Sequence, residues 1–162
     1  MYSSGAQRTN ISADEHVPEI ERFIRTLKEH IRALRASLPY EKIPHRLVLA
    51  LVRHSSRWLN VFCPKNSLSQ VVSPRVIMTG RKIDYSKHCK LEVGSYVQTH
   101  EKTQPRNDTN QMRTTGAIAL ESNDNDQGGY KFLSLTTGNE LTRGLKQFTP
   151  LPMTEDVIQR VH

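Results

Sequence analysis

The sequence predicts an α+β protein, with an N-terminal helical pair followed by a small antiparallel β barrel or meander. Two stretches before Pro64 place apolar residues three and four apart, the period of one helix face. Beyond residue 85 the pattern changes to short alternating runs divided by Gly, Asn and Pro turns, the period of strands. The hydrophobic fraction is 36% and the aromatic fraction 6%, so any core is modest. The expected organisation is a disordered N-terminus over 1–11, a helical part over 12–84, a β unit over 85–152 and a tail or short helix over 153–162.

The first helix has a capping box, Ser12-Ala13-Asp14-Glu15, in which serine and glutamate satisfy each other's backbone amides. Its stripe is Val17, Ile20, Ile24, Leu27, Ile31 and Leu34, and it should stop before Pro39. A second helix opens after Pro44 with the stripe Leu47, Val48, Leu51, Val52, Ser55, Trp58, Leu59 and Phe62, and Pro64 ends it. Arg46, Arg53 and Arg57 sit away from that stripe. Pro74 starts one helical turn and Gly80 ends it.

The β unit follows. Leu91 to Val97 reads as a strand, Thr99 to Arg113 as a polar loop and Thr115 to Leu120 as a second strand. Glu121 to Gln127 is an acidic turn closed by Gly128-Gly129. Tyr130 to Leu135 alternates with period two and is the clearest strand. Thr136 to Asn139 is a turn. Glu140 to Phe148 holds one or two more strands. Pro150 and Pro152 break the sheet, and Glu155 to Val161 forms a short terminal helix.

The net charge of +7 over 162 residues favours a polyanionic partner, nucleic acid first. Two basic clusters stand out. Arg22, Arg25, Lys28 and Arg32 lie on the first helix, and Arg81, Lys82, Lys87 and Lys90 follow the short turn after Pro74. Both suit phosphates and lack the aromatic interleaving that base stacking uses. Cys63 and Cys89 form no CxxC spacing, and no zinc, P-loop or nucleophile-elbow pattern is present. No window approaches 18 apolar residues and Met1 to Asn10 is polar, so no membrane span is expected and an intracellular protein is the default. Glu21, beside Ile20, is the one acid placed to reach a metal at the edge of a core. The ordinary alternative is an i,i+4 pair with Arg25.

Ile20-Glu21-Arg22-Phe23-Ile24-Arg25-Thr26-Leu27 resembles the final-acid motif of copia-type retrotransposon integrases, where a Val-Ala-Glu-Arg-x-x-Arg-Thr-Leu pattern carries the last acid of an Asp, Asp, Glu triad. The family's preceding Asn-Gly is replaced here by His16-Val17-Pro18-Glu19. Trp58-Leu59-Asn60 and Ser73 to Lys82 are similar to later segments of that family. Gly94 to Val97, Gly128-Gly129-Tyr130 and Leu135 to Gly138 are similar to its downstream β module. The order and spacing of these motifs agree over residues 12–158.

The resemblance implies a ribonuclease H-like core inside a gag-pol polyprotein, two Mg2+ or Mn2+ ions, and DNA strand transfer with Glu21 as third ligand. It also implies a nuclear or cytoplasmic-particle location, with DNA, other integrase subunits or the rest of the polyprotein as partners. The family's two Asp ligands come from upstream strands, and the sole Asp before Glu21 here is Asp14. The chain alone therefore holds at most one ligand of three. It is expected to bind no cofactor and not to catalyse strand transfer by itself, with DNA binding as the residual activity. Two alternatives are a β module that binds protein, since the acidic turn suits DNA poorly, and a nonfunctional relic whose exposed apolar stripes aggregate.

Overall fold

The computed structural model describes residues 18–63, 69, 71–100 and 112–161. Within them the chain is α+β, with five helices and one five-stranded antiparallel sheet. Helix α1 spans Pro18–Ser37 and ends ahead of Pro39, whose ring disfavours helix in the residue before it. The expected capping box and frayed N-terminus lie outside the described residues. Helix α2, His45–Val61, opens at Pro44, whose carbonyl accepts from the amides of Leu47 (2.9 Å) and Val48 (3.1 Å). It buries Leu47, Ala50, Leu51 and Ser55. Phe62 is already extended, and the expected stop at Pro64 lies outside the described residues.

Helix α3, Pro74–Thr79, forms as its punctuation requires. The Ser73 hydroxyl accepts from the Val76 amide, Pro74 sits in the first turn, and Gly80 closes the helix at φ 68°. The next four-residue helix, α4 (Tyr85–His88), was not expected. Asp84 caps it by accepting from the Ser86 amide at 3.1 Å, a local cue that the surrounding lysines obscured.

The strands are β1 (Tyr96–His100), β2 (Thr114–Ser122), β3 (Tyr130–Ser134), β4 (Glu140–Arg143) and β5 (Phe148–Pro150), in the order β4-β3-β2-β1-β5. The expected strand over Leu91–Val97 is corrected: its first half is a turn, closed by Ser95 donating to the Glu92 carbonyl, with Gly94 at φ 84°. The barrel expectation is also corrected. β1 to β4 make a meander and β5 adds to the other edge of β1, and the sheet is open because among the described residues β5 pairs with β1 but not also with β4. The Gly144–Gln147 turn leads β5 to β1: Gln147 donates to Gly144 (2.9 Å), and its own carbonyl takes the His100 amide (2.9 Å). Helix α5, Glu155–Val161, follows the last strand.

Both faces of the sheet are buried. Val97, Ala117, Ala119, Tyr130, Phe132 and Phe148 fill one face, where the three aromatic rings lie 5.2–6.3 Å apart. Ile118, Leu120 and Leu133 point the other way into a second cluster with Tyr40, Leu47, Ala50 and Leu51 of the helical half and Val157 and Val161 of α5. That alternation is the strand period with two cores to serve. The change of character at residue 85 is thus a change of secondary structure, and one hydrophobic cluster crosses it.

Candidate nucleic-acid interface

Arg22, Arg25, Lys28 and Arg32 all lie on α1 and all are exposed. The helix explains the exposure. It buries no residue fully, and only Ile31 and Leu34 in its second half pack against the core, so most of its circumference meets solvent. The ion pairs formed among the described residues lie elsewhere, on α2, α3, α4 and the sheet. The α1 cations therefore stand as a row along a single 20-residue helix, about 30 Å long at 1.5 Å per residue.

The second expected cluster divides. Arg81, Lys82 and Lys90 are exposed. Lys87 is engaged: its Nζ meets Asp84 Oδ2 at 3.3 Å and the Asp126 carbonyl at 3.2 Å. The neighbouring His88 ring takes the Asp84 amide on Nδ1 (3.2 Å) and meets the Asn125 carbonyl through Nε2 (2.9 Å). Residues 84–88 thus serve partly as a clamp on the β2–β3 turn. The hydroxyl of Ser86, with Lys87, holds Asp84 below the usual carboxylate range.

The acidic turn is the largest departure from the sequence reading. Asp124, expected to face solvent as a repellent to DNA, is occupied. Its Oδ2 accepts from Arg57 Nε at 3.2 Å and from Arg75 Nη1 at 2.5 Å. Arg57 also donates to the Ser122 carbonyl. Both arginines are largely covered, at 14% and 12% side-chain exposure. Beside them Glu121, itself 9% exposed, takes Arg53 (3.2 Å) and Lys131 (3.1 Å). These residues join α2 and α3 to the turn between β2 and β3. Sequence reasoning missed the arginine pairs because those partners lie 49 to 68 positions apart, beyond any local spacing rule.

Two further groups border this junction. Trp58 Nε1 donates to His54 Nε2 at 2.8 Å. Burial, and then the charge of Arg57, lowers the basicity of that imidazole. Tyr130 places its hydroxyl between the Lys90 amide (2.8 Å) and the Lys87 carbonyl (3.0 Å), and burial pushes its pKa up. Trp58 stacks on Phe62 with centroids 5.8 Å apart, and Phe62 is 60% exposed.

Glu21 is exposed in the first turn of α1. Among the described residues no three His, Cys, Asp or Glu converge as metal ligands. One helix carboxylate does not fit a two-ion centre, which needs several such groups around ions about 3.5–4 Å apart. No helix among the described residues is long and apolar enough to cross a membrane. Compared with protein-family models and with curated proteins, the chain matches none.

Proposed function

We propose that the chain is the C-terminal part of a copia-like retrotransposon integrase, namely the last helices of its core and the β module that follows, and that it binds DNA without catalysing strand transfer. The observation that carries this reading is the exposure of all four α1 cations on one helix, in the segment whose motif resembles that family. Four cations on a straight helix lie along phosphates, which gives affinity without sequence preference. Arg81, Lys82 and Lys90 extend the basic surface on a separate element. The internal pairing of Asp124 and Glu121 removes part of the negative field that would oppose a polyanion. With Glu21 alone, no catalytic step follows for this chain. Its assignment as third metal ligand, and a nuclear or particle location, belong to an intact polyprotein.

Fluorescence anisotropy with a labelled DNA duplex tests the proposal. Binding should be measurable at low salt and fall steeply as salt rises, with a log–log slope of about −3 to −4 if the four α1 cations each displace a counterion. The variant R22A/R25A/K28A/R32A should weaken binding at least about tenfold and flatten the slope. Absence of binding at low salt, or an unchanged slope in the variant, overturns the reading.

A further inference from the structure

The fold sets exposed aromatic rings beside the second basic cluster, which in sequence order lacks them. Phe62 and Tyr85 are 60% and 58% exposed. Phe62 stacks on Trp58 with the two rings 22° from parallel, and the Trp58 indole is itself held by its hydrogen bond to His54. One face of the Phe62 ring is thus covered by a fixed partner, and its exposure falls on the other. Tyr85 opens α4. Ile83 borders both the hollow lined by Trp58 and the groove shared by Val61, Lys82 and Tyr85, so the segment 81–85 is seated against the end of α2. Arg81 and Lys82 are exposed there, and no acid pairs with either among the described residues.

We propose that this corner binds an unpaired DNA strand, with bases stacking on Phe62 and Tyr85 and phosphates of the same strand lying against Arg81 and Lys82. An exposed ring face matches a nucleobase in shape and polarity, and every base offers such a face, so the contact tolerates any sequence. The two cations select a polyanion over an uncharged aromatic ligand. A duplex does not fit, because its bases cover one another and present only their edges in the grooves. The held Trp58 indole fixes the Phe62 ring before binding, which lowers the cost of ordering it. The inference rests on the reading that the chain binds DNA, and it names the form of strand that the second basic cluster takes. The α1 cations remain the duplex surface.

Anisotropy titrations of the whole chain test it with three ligands of equal length, about 20 nucleotides, which exceeds one site of this kind. They are an oligothymidylate strand, the same strand without bases, and a duplex. The full strand should bind at least about fivefold tighter than the abasic one, which keeps the phosphates and offers nothing to stack. F62L/Y85L keeps apolar bulk and removes both rings. It should abolish that preference and leave duplex affinity unchanged. Its melting curve should match the parent, because both side chains are already mostly exposed. F62Y, which restores a ring, should bind like the parent. Equal affinity for the full and abasic strands overturns the inference, as does a preference that survives F62L/Y85L or a loss that is the same for all three ligands. In each of those cases duplex binding with its salt slope leaves the duplex reading standing. A ring-dependent preference without duplex binding overturns the duplex reading alone, and no binding of any ligand at low salt overturns both.

Discussion

Asp124 is held at φ 60°, a left-handed conformation that Asp and Asn tolerate better than other residues with a Cβ. That geometry aims its carboxylate at Arg57 and Arg75, and both guanidiniums depend on it for charge balance. D124N keeps the backbone preference and removes the charge. The expected cost is about 2 kcal/mol, between the values for exposed and fully buried pairs, or roughly 5 °C in Tm. Thermal melts of D124N beside R57M/R75M/D124N separate the pair from its desolvation. The triple variant should recover part of the loss, since charges left alone cost more than charges removed together. An unchanged Tm in D124N would mean that the junction is solvated and contributes nothing. At this scale Glu21, Arg22, Arg25, Lys28 and Arg32 were identifiable from the sequence as a charged helix face, because charge and helical spacing are both local. The roles of Arg57, Arg75 and Asp124 were not, because each depends on a partner brought near by the fold.

The elements show the same division. Proline and glycine marked α3 from Pro74 to Gly80, and the alternation of Tyr130 to Leu135 marked β3, because both signals are written within a few residues. The strand expected over Leu91–Val97 starts only at Tyr96, since Gly94 takes φ 84° and the turn beneath it hydrogen-bonds to β2. A Cβ at Gly94 would sit 2.3 Å from Leu38 Cδ2, whereas one at Gly80, with nearly the same φ, meets nothing within 4 Å. G80A should therefore cost only the backbone term, about 1 kcal/mol, and G94A about 2–3 kcal/mol. Denaturant melts of the two variants read the difference. Equal losses would show that Leu38 moves aside without disturbing the core beside Tyr40, whose hydroxyl donates to the Gly94 carbonyl at 2.7 Å.

At the scale of the molecule, the helical half and the sheet share the cluster that joins Leu47 and Leu51 to Ile118, Leu120 and Leu133. A shared core couples unfolding. Amide hydrogen exchange in α2 and β2 should therefore converge on one global opening free energy, within about 1 kcal/mol. A separate, lower value for α2 would show two independently folding units meeting at residue 85. The class of the fold, its succession of helices and then strands, and its basic surface followed from hydrophobic period, turn residues and charge, which act over a few positions and survive without any knowledge of neighbours. Tertiary structure alone decided that the sheet stays open, that both of its faces are buried, that Glu121 and Asp124 of the acidic turn are paired with cations from distant elements, and that Ile20, Phe23 and Ile24 of the α1 stripe stay exposed. Each of these depends on contacts between residues dozens of positions apart, where free energy is set by which surfaces meet and not by which residues follow one another.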